Sequence, residues 1–208
     1  MYRLSARLPT ALLTLLCSWQ LALLLAFALQ ARITDLPRLA LGGLVRSAVP
    51  LYAGVGVLLW IVAHESAHAI AARCCGVLGG RIRFSARLMP AFQAPAQPAL
   101  NRSDTRFLIY VAGPVLDLLC SLALAVAAMS TSAGTAILQS LFVISLLMGL
   151  PNCCVLRCSD MEQGMRVFRL LCHRRWPSIL YGAVSLAYAS VVILMVVKLI
   201  LRSRPGMV

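Results

Sequence analysis

The sequence predicts an all-α polytopic membrane protein, with one membrane domain over residues 1–208 and a short membrane-associated strand or hairpin after the second helix. Two observations support this fold class. Of the 208 residues, 61% are hydrophobic and only 12% are charged, and the mean hydropathy is +0.89, which lies far outside the range of soluble domains. There are also about five apolar runs close to the roughly 20 residues that a transmembrane helix needs. These runs cover approximately residues 11–31, 47–71, 107–130, 134–157 and 178–201.

The first run follows two arginines, Arg3 and Arg7, and resembles in part a secretory signal peptide. Ala26 and Ala28 imitate a cleavage site, so removal of this segment is the alternative interpretation. The run is longer than the roughly 7 to 15 residues of a signal-peptide core. A retained first helix is therefore the favoured prediction.

The basic residues are distributed unevenly among the loops, and this distribution predicts the orientation. If five spans alternate across the bilayer, the N-terminus and the loops 72–106 and 157–177 share one side and carry most of the arginines. The positive-inside rule makes this side cytoplasmic. We therefore expect an integral protein of the cell (inner) membrane. Nineteen Lys and Arg against six acidic residues would suggest nucleic acid in a soluble protein, but topology accounts for them here, and no nucleic-acid partner is predicted.

The second run contains the sequence HESAH, which places three ionisable groups inside an apolar helix. His64 and His68 are four residues apart, so they lie about 40° apart on one face and can reach one metal ion. Glu65 completes the pattern H-E-x-x-H. Metal-assisted hydrolysis uses these residue types as two imidazole ligands and a carboxylate that takes a proton from water.

A purely structural role is the alternative for these residues. The two histidines would then bond to neighbouring helices, and Glu65 would pair with an arginine such as Arg73. An uncompensated carboxylate costs about 2.5 to 3.5 kcal/mol at the centre of a spanning helix. That cost disfavours retention of Glu65 without a function.

A catalytic zinc site needs a third protein ligand, and the chain has few acidic candidates. Asp35 lies on the opposite side of the membrane, and Asp104 lies among arginines, where an ion pair or solvation is expected. Asp117 lies well inside the third run. Asp160 directly follows the fourth run, at the same side and depth as HESAH. Two independently located motifs therefore fall at the same depth and on the same side of the membrane.

Eight cysteines are present, and most of them lie near the predicted cytoplasmic side, where thiols stay reduced. A disulfide framework is therefore not expected. Cys154 and Cys158 have the i, i+4 spacing of a second metal site, and together with Cys153 they lie close to Asp160. Packing is the favoured role, and a cysteine ligand is the alternative.

Three segments together resemble the site-2 proteases, a family of intramembrane zinc metalloproteases. They are HESAH at 64–68, AGPVLD at 112–117 and NCCVLRCSD at 152–160. The resemblance implies a catalytic core over about residues 47–165. It implies zinc ligands at His64, His68 and Asp160 and a general base at Glu65. It also implies supporting roles near the active site, at Asn152, Gly113 and Asp117.

The sequence departs from the family pattern at several positions. Val155 replaces a proline, Ser159 replaces the usual Leu or Thr, and Met161 replaces the glycine that normally follows the metal-binding aspartate. Asp117 stands where many members have asparagine. These changes leave the implied ligand set intact, and Glu162 is the reserve third ligand.

A strand is predicted in GGRIRFSARL at 79–88, because Arg81 and Arg83 alternate with apolar residues after a pair of glycines. Relatives in the resembled family have a strand or hairpin here. A strand edge could pair with an unwound substrate, whose backbone groups have no partner in lipid. Arg81 and Arg83 are therefore candidate substrate-binding residues, and contact of the loop arginines with lipid headgroups is the alternative. The segment 89–100 is too rich in proline for a helix and is expected to flank the entry.

The predicted function is that of a zinc-dependent membrane metalloendopeptidase, which cleaves a peptide bond in or near a membrane segment of a protein or peptide. Regulated intramembrane proteolysis and peptide maturation both fit this function. The chain has no room for a separate peptide-binding domain, so an accessory protein is one way to select substrates.

Two other classes of function stay open. A zinc-binding pseudoprotease or a peptide or metal transport protein would explain the altered SDME at 159–162, whereas Glu65 argues against it. A structural membrane subunit would tolerate apolar residues at both histidine positions.

Overall fold

The computed structural model describes residues 7–30, 49–84, 90–130, 141, 145, 149, 152–154, 159–172 and 175–202. This part of the chain is mostly helical, as predicted, and it also contains a two-stranded hairpin. The elements are α1 (Arg7–Gln30), α2 (Val49–Cys74), β1 (Arg81–Phe84), β2 (Pro90–Gln93), a short 3-10 helix (Pro98–Asn101), α3 (Ser103–Ser130), α4 (Asp160–Leu171) and α5 (Trp176–Arg202).

Helices occur at four of the five predicted apolar runs. Most of the run at 134–157 lies outside the described residues, although Leu141, Ser145, Gly149, Asn152 and Cys153 are helical. Within the described residues, two helical segments are long and apolar enough to cross a membrane, Gly54–Cys74 and Ser103–Leu124.

The outer faces of these helices are strongly apolar. Only 17% of the most apolar window of α2 is buried, so α2 is unlike the core helix of a soluble protein. Exposed side chains include Leu59 and Ile70 on α2 and Leu186 on α5, which is 70% exposed. Exposed apolar surface of this kind is found at membrane and protein interaction sites.

Serine side chains on these apolar helices bond to their own backbone. Ser66 donates to the carbonyl of Val62 at 2.7 Å, and Ser190 donates to that of Leu186 at 2.8 Å. Each bond spans one helical turn, so the hydroxyl is satisfied without water or a neighbouring helix. Both helices therefore carry polar residues without leaving these hydroxyls unpaired.

Helix α3 is the centre of the packing and contacts α1, α2 and α4. Its close contact with α4 depends on Gly164, where an added Cβ would lie 3.3 Å from the side chain of Val111. Phe107 and Phe168 pack across the same interface, with ring centroids 5.8 Å apart. This contact fixes the position of α4, whose first residue is Asp160.

A buried polar network joins α1 and α5 to the segment that precedes α4. Gln20 is fully buried, and its amide donates to the carbonyl of Cys153 at 3.3 Å. The hydroxyl of Tyr181 donates to the same carbonyl at 2.5 Å, and that of Ser185 donates to the Gln20 side chain at 3.3 Å. Helix α1 is thus packed into the described assembly.

Helix α2 ends at a glycine in the left-handed conformation. Gly76 has φ +79°, and its N–H bonds to the carbonyl of Arg73, while Val77 N–H bonds to that of Ala72. These two bonds form a Schellman motif, in which glycine at the left-handed position ends the helix. The chain then turns back toward α2 and enters the hairpin.

The predicted strand is present as β1, and it pairs with β2 in antiparallel register. Ile82 lies opposite Phe92, and Phe84 lies opposite Pro90. The segment predicted to be non-helical because of its prolines therefore contributes the second strand. Phe92 also packs against a small buried cluster of Ala72, Val77 and Ile109, which joins the hairpin to α2 and α3.

Helix α4 was not predicted, because its arginines were interpreted as a cytoplasmic loop. Its first turn has a capping signature, S-x-x-E at 159–162, and the Ser159 hydroxyl accepts from Glu162 N–H at 3.0 Å. One face of the helix is buried, whereas Arg166 and Arg169 lie on the exposed face. The buried positions are Met161, Gly164, Met165, Val167 and Phe168. The altered SDME sequence is therefore the start of an amphipathic helix.

Candidate active site

Three side chains from two distant parts of the sequence meet at one point. His64 Nε2 and His68 Nε2 are 3.1 Å apart, and Asp160 Oδ2 lies 2.9 Å from the first and 3.2 Å from the second. Both histidines are at least 95% buried. The structure therefore brings together the three residues that the family resemblance implied as ligands.

The other nitrogen of each imidazole is bonded to an acceptor. His64 Nδ1 lies 2.8 Å from Asp117 Oδ2, and His68 Nδ1 lies 2.6 Å from the carbonyl oxygen of Ile109. A carboxylate and a carbonyl can only accept, so both Nδ1 atoms carry the proton. In the neutral rings the two Nε2 atoms therefore present lone pairs to each other and to Asp160.

This arrangement fits a bound zinc ion. Three acceptor atoms that face one another at 2.9 to 3.2 Å repel unless a cation lies between them. Tetrahedral coordination with bonds of about 2.0 to 2.1 Å separates ligand atoms by roughly 3.3 Å. The observed distances need to increase by only a few tenths of an ångström. The donor set of two imidazoles and a carboxylate is one that catalytic zinc sites use.

Asp160 is placed for this role by the helix that it begins. It is the first residue of α4, after the Ser159 cap, where the helix dipole favours a carboxylate. Burial opposes its ionisation, but a histidine Nε2 that is protonated in the metal-free site donates to the carboxylate, and this hydrogen bonding outweighs burial and holds the pKa of the Asp160 carboxyl well below its usual range. The carboxyl is therefore ionised at neutral pH, as a metal ligand must be.

Glu65 is the second carboxylate beside the histidine pair. His64, Glu65 and His68 each offer one ligand atom, and these atoms lie within 4.8 Å of one another. Asp160 approaches the two Nε2 atoms more closely and completes the triad, which leaves Glu65 beside it. The Glu65 carboxylate accepts a hydrogen bond from the backbone N–H of Phe92 at 2.5 Å, instead of pairing with Arg73 as the structural alternative suggested.

Gly113 lies directly against both rings. An added Cβ at this position would lie 2.5 Å from His64 Nε2 and 2.6 Å from His68 Nε2, well inside van der Waals contact. Any side chain here would displace the imidazoles. The glycine of AGPVLD is therefore needed for the close approach of α3 to the histidine pair.

Other predicted residues lie outside the triad. Arg81 and Arg83 are exposed on β1, Asn152 is half-buried in a helical turn, and Glu162 pairs with Arg166 at 2.6 Å. The thiols of Cys153 and Cys154 lie near backbone carbonyls, those of Pro114 and Ser185 respectively. Cys158 lies outside the described residues.

Two groups in the site could not be identified from the sequence, because they belong to the backbone. The carbonyl of Ile109 accepts from His68, and the N–H of Phe92 donates to Glu65. Every residue except proline has both groups, so composition and spacing give no signal for them. The cap at Ser159 did have a signal, the S-x-x-E pattern.

Comparison with known proteins identifies the family. The sequence model described as Peptidase family M50, the site-2 protease family, matches residues 52–203. This match covers nearly all of α2 and the whole of the hairpin, α3, α4 and α5, and therefore the whole site. No curated protein and no solved structure matches the chain. The chain belongs to peptidase family M50, whose members are membrane-embedded zinc metalloproteases.

Proposed function

We propose that the protein is an intramembrane zinc metalloprotease that hydrolyses a peptide bond in or near a membrane segment of a protein or peptide. The single observation that carries this proposal is the convergence of His64 Nε2, His68 Nε2 and Asp160 Oδ2 within 3.2 Å, with Glu65 beside them. His64, His68 and Asp160 would hold the zinc ion. Regulated intramembrane proteolysis and peptide maturation are the two processes that this chemistry serves.

The residues of the chain divide the work of hydrolysis. Bound zinc supplies a Lewis acid that polarises the scissile carbonyl and lowers the pKa of its water to about 7. Glu65 takes a proton from the attacking water and returns it to the leaving amine. Asp117 and the Ile109 carbonyl orient the two imidazoles, because each accepts the Nδ1 proton.

The proposed setting is the cell (inner) membrane, with the active site toward the cytoplasm and one spanning helix at each of the five apolar runs, so that α4 is not a span. The end of α2, the hairpin and the start of α3 carry exposed arginines at the same end of the helices as the site. These are Arg73, Arg81, Arg83 and Arg106. The positive-inside rule supports a cytoplasmic location for this end. The substrate is a membrane-embedded protein or peptide, and an accessory protein could select it.

Zinc content and peptide cleavage test this proposal when they are measured on one detergent preparation. The wild type is expected to hold about one zinc ion and to cleave a helical membrane peptide. Glu65→Gln should keep the zinc and lose cleavage, because it keeps the ligands and loses the base. Asp160→Ala should lose both.

A different result would move the protein to the alternative class. If the wild type binds zinc but cleaves no better than Glu65→Gln, the protein is a zinc-binding pseudoprotease or a transport protein. If apolar residues replace both histidines without loss of function, the site has only a structural role.

A further inference from the structure

One edge of strand β2 faces α2, the helix that carries Glu65. A backbone group on this edge bonds to Glu65, and the hydrolytic role of Glu65 does not require this bond. The N–H of Phe92 in β2 donates to Glu65 Oε2 at 2.5 Å. The carboxylate assigned as the base is therefore bonded to a strand. The register of the hairpin explains why this N–H is available.

Residue pairs in an antiparallel ladder alternate between those that exchange hydrogen bonds and those whose N–H and C=O groups point away from the partner strand. Phe92 N–H points to Glu65, so the pair Ile82–Phe92 is of the second kind. The pair Phe84–Pro90 lies two residues away and has the same character. Pro90 has no N–H to donate, and this fits independently with a residue that makes no hydrogen bond to the partner strand.

This register leaves one donor on the outer edge of β2. The N–H groups of Ala91 and Gln93 face β1, and Pro90 has none. Phe92 therefore supplies the one outward N–H of the four residues of this strand. An extended polypeptide that pairs with the edge needs this N–H, and so does Glu65.

The ring of Phe92 holds this donor in place. It covers Gly80 so closely that an added Cβ there would lie 2.6 Å from the ring. It also packs against the buried cluster of Ala72, Val77 and Ile109 at the ends of α2 and α3. Strand β2 cannot move away from Glu65 without loss of these contacts. Replacement of Glu65 by another acceptor at the Phe92 N–H is therefore the simpler way to release the carboxylate.

We propose that substrate binding and release of the base are coupled through the Phe92 N–H. A carbonyl of the incoming extended segment takes this N–H, and Glu65 is released to act on water. Without a paired segment, the N–H holds the carboxylate. This inference rests on the proposed function, because it assigns a mode of regulation to the same site.

Competition for one donor has a measurable consequence. Removal of the competing acceptor should strengthen peptide binding, and removal of the donor should cancel that effect. A suitable probe is a fluorescein-labelled octapeptide of alternating Val and Thr, with a hydroxyethylene group in place of its central peptide bond so that it is not cleaved. Its Kd is measured by anisotropy in detergent.

Glu65→Ala is expected to lower the Kd about tenfold, close to the lower limit of what a hydrogen bond to a charged group contributes. Glu65→Gln is the matched control, because its amide carbonyl still accepts from Phe92, and its effect should be clearly smaller. Phe92→Pro removes the donor at a position where Pro90 sets a precedent. In that background Glu65→Ala should leave the Kd unchanged.

Phe92→Ala separates the N–H from the ring, because it keeps the donor and removes the side chain. In this background Glu65→Ala should still lower the Kd about tenfold. Thermal unfolding checks that each variant is folded. If Phe92→Pro is unfolded, the comparison of Glu65→Ala with Glu65→Gln in the otherwise wild-type chain decides.

The proposed exchange at the Phe92 N–H is overturned if the wild type and Glu65→Ala have equal Kd values. It is also overturned if neither binds the peptide. Pairing of the peptide with the outer edge of β1 would give that result. It would leave the hydrolytic proposal intact, since zinc content and cleavage test that proposal separately.

Discussion

Replacement of Gly113 by alanine is the sharpest test of how the site is assembled. The added Cβ would lie 2.5 Å from His64 Nε2 and 2.6 Å from His68 Nε2, whereas ordinary contact begins at 3.4 Å. The rings or the helices must therefore move by about 0.9 Å. A metal site tolerates errors of only about 0.2 Å in its ligand distances. We expect Gly113→Ala to weaken zinc binding by at least about tenfold and to abolish cleavage.

The same change should have a small effect on folding. Alanine is better than glycine in a helix by about 1 kcal/mol, whereas overpacking costs about 1 to 3 kcal/mol. The net loss of stability is therefore about 0 to 2 kcal/mol. Gly113→Ala should thus impair zinc binding while leaving the protein folded, because the clash falls directly on the ligand atoms.

Gly182→Ala in α5 is the matched control. Among the described residues, no atom lies within 4 Å of a Cβ added at Gly182, so zinc affinity should be unchanged and stability should rise by up to about 1 kcal/mol. Zinc affinity is measured by competition with a chromophoric chelator, and stability by thermal unfolding in detergent. Wild-type zinc affinity in Gly113→Ala would refute the proposed close approach of α3 to the histidines.

Three further predictions concern residues that support the site. Asp117→Asn should keep zinc binding, because the amide oxygen can still accept from His64 Nδ1. Asp117→Leu should weaken zinc binding about 10- to 100-fold in the same chelator competition. Equal zinc affinities for the two variants would exclude a role of Asp117 in orienting His64. Ser159→Ala should lower the free energy of unfolding by about 0.5 to 2 kcal/mol through loss of the α4 cap, with the exposed Ser190→Ala as a control that leaves it nearly unchanged. Phe168→Ala should cost about 3 to 5 kcal/mol, measured by thermal unfolding, and a loss under 1 kcal/mol would contradict tight packing of α4 on α3.

The sequence predicted the site most directly where a chemical motif also requires a particular secondary structure. HESAH requires a helix for its two histidines to share a face, and α2 provides it. Asp160 was implied as a ligand by the family resemblance, and the predicted topology placed the end of the fourth run on the same side of the membrane as HESAH. The close approach of Asp160 to both histidines agrees with that reasoning.

Other features could not be deduced because they depend on tertiary contacts. Asp117 lies 53 residues from its partner His64, and the motif alone does not specify which group an aspartate will meet. Helix α4 was missed for a different reason. Its apolar face is built from only a few residues, and its arginines favoured a loop, although the S-x-x-E pattern was available.

The polar network around Gln20 has a consequence for the order in which the protein is made. Apolar surfaces in lipid have little preference for one another, so a buried amide that needs partners specifies which helices associate. The amide is in α1, but Tyr181 and Ser185 are in α5, the final described helix. During synthesis the Cys153 carbonyl gains its Tyr181 partner only after α5 has been inserted. Maturation of the metal-ligand segment therefore depends on insertion of α5, which delays full assembly of the candidate active site until that helix is in place.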